Sequence, residues 1–196
     1  AANGVDHQSL VSALELQYTG TRDEELPGYF DVQHLGVTYG NDMFVFGVST
    51  FGAKATPNNM AFNICVDTDE DGNYDRVLYA TSLTGYLTTL SPSQANDPMD
   101  VFVTGMLTPP ATRSVIGFPN LVAADQVDVG TFNSNSLLIG ATAANLGLAA
   151  GDRSLRYAVA VCPSFNPSCA RLSPANQCGS AASAYATVPG PFTFDG

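Results

Sequence analysis

Met60-Ala61-Phe62-Asn63-Ile64-Cys65-Val66-Asp67-Thr68-Asp69-Glu70-Asp71-Gly72-Asn73-Tyr74-Asp75-Arg76-Val77-Leu78-Tyr79-Ala80-Thr81 is an acidic loop set between two apolar runs. Both runs are short and rich in β-branched and aromatic residues, which suits strands rather than helices. The stretch therefore reads as a β-hairpin whose turn carries unusual chemistry. Asp67, Asp69 and Asp71 alternate, so their carboxylates can converge on one point. Gly72 permits a sharp turn that a Cβ would hinder, Asn73 offers a side-chain or backbone oxygen, and Asp75 closes the ring. Four aspartates this close repel one another unless a cation neutralises them.

The spacing predicts a Ca²⁺ loop with Asp67, Asp69, Asp71, Asn73 and Asp75 as ligands. An EF-hand would carry a bidentate Glu at the twelfth position, and here that position is Leu78. The loop is thus the shorter Asp-x-Asp-x-Asp-Gly-x-x-Asp type. Magnesium fits less well, because it keeps its waters and needs fewer protein oxygens.

Outward from the hairpin, the β pattern continues. Residues 32–39 and 43–51 are rich in Val, Phe and Tyr and are separated by Gly40-Asn41-Asp42, a turn signal. In residues 44–51, Phe44, Phe46, Val48 and Thr50 share one face, which gives a strand with one heavily apolar side. Further strands are predicted at 76–82, 85–90, 100–107, 113–118, 127–132, 136–141, 154–162 and 192–194, and residues 9–18 read as another. Leu146 and Gly147 read as the end of one helical turn, with Gly147 as its left-handed stop. About ten short strands with turn signals between them predict one all-β domain over residues 1–196, an antiparallel β-sandwich. Residues 1–18 form a loose or donated N-terminal segment in this reading, and residues 163–196 a loop-rich tail.

Seven basic and 18 acidic residues give a net charge of −11, which argues against nucleic acid and anionic membrane surfaces as partners. No apolar run approaches the roughly 20 residues of a membrane span. Lys54 is the one lysine, and charged residues make up only 13% of the chain, a composition closer to extracellular β proteins than to cytosolic enzymes. Cys65, Cys162, Cys169 and Cys178 form an even set without a Cys-x-x-Cys pair, so disulfides in an oxidising compartment are expected rather than a zinc site. Three pairings are open. If Cys169–Cys178 staples the Pro/Ser/Asn-rich loop, Cys65–Cys162 is left to tie two strands. No signal peptide is visible, so a secreted chain is expected to begin at Ala1 by processing.

Several segments in order resemble an accessory module that lies C-terminal to the catalytic domain in large secreted bacterial subtilisin-like proteases. They are Phe44-Val45-Phe46-Gly47-Val48-Ser49-Thr50, Ala55-Thr56-Pro57, residues 62–69 with the rest of the acidic loop, Val77-Leu78-Tyr79, Asp100-Val101-Phe102-Val103-Thr104, Leu146-Gly147-Leu148 and Phe192-Thr193-Phe194-Asp195. The resemblance implies a non-catalytic β-sandwich of immunoglobulin-like or sugar-binding-module-like type. The N-terminal stretch and the cysteine-bearing tail lie outside it.

Catalytic parts are sparse. The chain lacks a Gly-x-Ser-x-Gly elbow and a Gly-rich phosphate loop, and its histidines are His7 and His34. His34 has no identifiable nucleophile partner, and Met43, Met60, Met99 and Met106 read as core or turn residues rather than haem ligands. The expectation is a secreted or cell-surface, non-enzymatic, calcium-stabilised module of accessory or adhesion type. Two alternatives stand beside it. One is a self-assembling fibre or sheath subunit that donates residues 10–16 as a strand to its neighbour. The other is a carbohydrate-binding module for a surface polysaccharide, although the chain has no Trp for a sugar platform.

Overall fold

A computed structural model describes residues 13–56, 60–90, 101–109, 112–123, 126–127, 130–163, 186–188 and 190–196. Within them the elements run β1 (Glu15–Thr19), β2 (Val32–Gly40), β3 (Met43–Lys54), β4 (Met60–Asp67), β5 (Arg76–Ser82), α1 (Leu83–Leu90), β6 (Phe102–Thr108), β7 (Thr112–Gly117), β8 (Leu121–Ala123), β9 (Gln126–Val127), β10 (Ser134–Thr142), α2 (Ala143–Leu146), β11 (Ser154–Pro163), β12 (Ala186–Thr187) and β13 (Phe192–Asp195). The expected antiparallel sandwich is what forms. One sheet has the order β1-β2-β3-β10, and the other runs β12-β11-β4-β5-β6-β7, with β13 also paired to β11. All the described strand pairings are antiparallel.

The alternation in β3 decides which side faces inward. Phe44, Phe46, Val48 and Thr50 are all buried, as their spacing predicts. Phe44, Phe46 and Val48 meet Phe62, Ile64, Val66, Leu155 and Tyr157 from the facing sheet, and the two sets form one apolar core. Phe46 packs edge-on against Tyr157 with ring centres 5.2 Å apart. The even-numbered face of β3 does not stop at Thr50. It carries Lys54 inward as well, and this residue is fully buried.

Several sequence expectations need correction. Residues 85–90 are not a strand but most of α1, and the apolar positions 83, 86, 87 and 90 fall on the spacing of one helical face. Of the strand expected at 127–132, Val127 lies in β9 (Gln126–Val127), residues 128–129 lie outside the described residues, and residues 130–132 belong to a turn with Asn133 at φ 52°. Two short strands, β8 and β12, were not expected. The single helical turn forms as predicted: Thr142 caps its N-terminus through Asn145 N–H, and Gly147 ends it at φ 86°.

The N-terminal strand docks on its own chain, with Leu16 opposite Gly36 and Thr19 opposite His34. Leu14 lies over a two-glycine step in the sheet. A Cβ on Gly36 would approach Leu14 Cβ to 2.9 Å, and one on Gly47 would approach Leu14 Cδ2 to 3.0 Å. The loop that follows β1 is tied back by an Arg22–Asp31 ion pair of 2.7 Å, while Asp23, Glu24 and Glu25 stay exposed.

Cys65 is disulfide-bonded. Its partner is not Cys162. In the β4–β11 ladder Cys65 lies opposite Ala158, and Cys162 lies opposite Ala61. An offset of four residues along a strand is about 13 Å, well beyond the roughly 7 Å Cα separation a disulfide spans. Cys169 and Cys178 lie outside the described residues.

Candidate metal centre

The loop between β4 and β5 is built by its own side chains. Asp75 N–H donates to Val66 O at 2.8 Å, which closes the hairpin neck. The Asp75 carboxylate then turns back, and its Oδ2 accepts from Thr68 N–H at 2.9 Å and Thr68 Oγ1–H at 2.6 Å. On the far side Arg76 donates to the Asp75 carbonyl at 2.7 Å. These contacts fix both ends of a loop that contains two left-handed residues, Glu70 at φ 58° and Gly72 at φ 90°. Gly72 is the residue type that such a conformation favours.

Inside that frame the carboxylates of Asp67, Asp69 and Asp71 converge, each offering an oxygen within 4.8 Å of the others. Asp67 is the base of the group. It ends β4, is only 2% exposed, and gives Oδ2 to Gly72 N–H at 3.0 Å. Its other oxygen, Oδ1, is buried and has no hydrogen-bond partner among the described residues. A buried carboxylate oxygen left bare costs several kcal/mol by general estimates, so an occupant is expected. Asp69 and Asp71 are exposed and form the rim. Hydrogen bonds from the Asn73 side chain and backbone hold the Asp71 carboxyl below its usual range. These bonds favour the charged form of Asp71, the form that could hold a cation.

Of the five predicted ligands, three are brought together. Asn73 lies beside them, with its amide nitrogen 3.0 Å from Asp71 Oδ2. Asp75 is outside the cluster and acts as a clasp on Thr68. Three hard oxygens from adjacent carboxylates, one of them buried, suit a hard divalent cation. Burial and the Asp67 charge raise the Tyr74 phenol, which the positive charge of Arg156 partly offsets, so both charges act near this ring. Sequence reasoning missed Arg156, which is distant in sequence and stands opposite Asp67 in the β4–β11 ladder.

The remaining candidates stand elsewhere. His34 is half-buried on β2, and its Nδ1 lies 3.3 Å from Thr19 Oγ1. Of the methionines, Met43 is exposed at the start of β3 and Met106 is partly buried against the core. His7 and Met99 lie outside the described residues. No helix among the described residues is long and apolar enough to cross a membrane. No protein-family model matches the chain significantly, and neither does any curated protein or solved structure.

Proposed function

We propose that the protein is a non-enzymatic extracellular β-sandwich module, of accessory or adhesion type, whose acidic hairpin binds calcium as a structural clamp. One observation carries the reading: the unpartnered, buried Oδ1 of Asp67, beside the converging carboxylates of Asp69 and Asp71. Calcium accepts 6–8 oxygens in flexible geometry, so the loop needs only backbone carbonyls and water to complete the shell. Asp75 serves by shaping the loop through Thr68. The disulfide at Cys65 supports an oxidising compartment, where extracellular calcium is abundant enough for a weak site. Modules of this kind bind at about 10⁻⁴–10⁻³ M.

Thermal melting with calcium and with a chelator tests the reading. A hundredfold excess over the dissociation constant adds about 2.7 kcal/mol. For a chain of this size that corresponds to a rise of about 5–10 °C in Tm. Asp69→Ala, at an exposed position, should fold normally and lose the rise. An identical midpoint with calcium and with chelator would overturn the proposal.

A further inference from the structure

A cation stands beside the base of the loop on the neighbouring strand. In the β4–β11 ladder Arg156 stands directly opposite Asp67. Val66 and Leu155, their chain neighbours, face the core, so Asp67 and Arg156 both project from the outer side of the same sheet. Directly opposed residues on one face of an antiparallel pair have Cβ atoms about 4.5–5.5 Å apart, close enough for opposite charges to interact. Yet the two do not form an ion pair: among the described residues Arg156 makes none, and Asp67 Oδ1 is unpartnered. Asp67 is instead oriented by Gly72 N–H towards the other two carboxylates. The Tyr74 ring senses both charges, with opposite effect.

We propose that Arg156 competes with the bound cation for Asp67 and so sets the affinity of the loop. The proposal rests on the calcium reading above. Without metal, the guanidinium opposite Asp67 is a positive charge able to compensate it. With metal, it faces a divalent ion across one strand spacing, and the repulsion weakens binding. A single side chain outside the loop thereby holds the site in a weak range, where calcium can leave when its concentration falls. A loop judged from its own nine residues alone would be expected to bind more tightly.

The test is a calcium titration of the full chain, read by displacement of terbium whose emission is sensitised by Tyr74. It compares the wild type with Arg156→Gln, Arg156→Lys and Arg153→Gln. Arg153 lies over the Tyr39 ring, 5.6 Å from its centroid, and its substitution controls for net charge. Removing a unit charge this close to a divalent ion should tighten binding about fivefold to fiftyfold, and added salt should shrink the difference. Arg156→Lys should stay near the wild type, and Arg153→Gln should change affinity less than Arg156→Gln. If Arg156→Gln does not fold, Arg156→Met keeps the stem and serves in its place. Wild-type binding with unchanged or weakened affinity in the neutral variant would overturn the role of Arg156 alone. No terbium or calcium binding by the wild type would overturn the metal site and this inference together.

Discussion

Replacing Lys54 by methionine should stabilise the protein and remove most of its alkaline pH response. The Lys54 side chain is fully buried at the end of β3. Its Nζ lies 3.5 Å from Thr50 Oγ1 and 5.6 Å from the centre of the Phe62 ring, and neither is a counter-charge. Burial lowers its pKa from 10.5 to about 8. The folded state therefore holds this proton less tightly than the unfolded chain. The resulting cost is fully present below the folded value and is relieved as pH rises from about 8 towards 10.5. That gap sets a ceiling of about 3.4 kcal/mol. Between about pH 7 and 9.5 the linkage relation yields a gain of about 2 kcal/mol. At higher pH the sign reverses, because burial pushes the Tyr157 phenol up while unfolded tyrosines ionise at their usual value. Urea unfolding across this range, at fixed calcium, measures the effect. The wild type should gain stability with pH, and Lys54→Met should be more stable at neutral pH and nearly flat to about pH 9.5. Parallel profiles for the two proteins would show that Lys54 does not set the alkaline response.

Other perturbations probe other parts of the fold. Tyr157 OH is buried without a partner among the described residues, so Tyr157→Phe should be neutral or stabilise by about 1 kcal/mol in the same assay. Gly36→Val places side-chain atoms where Leu14 Cβ and the Glu15 carbonyl already lie, within about 3.0 Å. It should lift β1 off the sheet and expose the segment to limited proteolysis. Peptide mapping without reduction should recover Cys65 bridged to a cysteine other than Cys162, because the strand register separates those two positions.

Much of the fold was legible because the core strands obey one simple rule. In β3, alternate residues from Phe44 to Thr50 are apolar or small, and this alone assigns its inward face. The same alternation, extended four residues, predicts Lys54 inside. Its charge and the polar sequence that follows it obscured this. Residues 85–90 failed for a related reason, since Leu, Tyr and Thr occur in strands and helices alike, and only their spacing with Leu83 marks a helix. Within the loop, the alternating aspartates and Gly72 were readable from local spacing. Asp75 was not, because its oxygen is claimed by Thr68, a contact that depends on how the hairpin neck closes. Arg156 and the exclusion of a Cys65–Cys162 bridge both depend on the register between strands distant in sequence, which local patterns do not encode.

The proposed site places one hard divalent cation on Asp67, Asp69 and Asp71. A calcium titration followed by amide chemical shifts tests it most directly. Saturable shifts should concentrate at residues 67–75, largest near Gly72 and Asn73, and be absent in Asp67→Asn, whose amide oxygen can still accept from Gly72 N–H. No shifts at saturating calcium, or shifts centred on another part of the molecule, would contradict it.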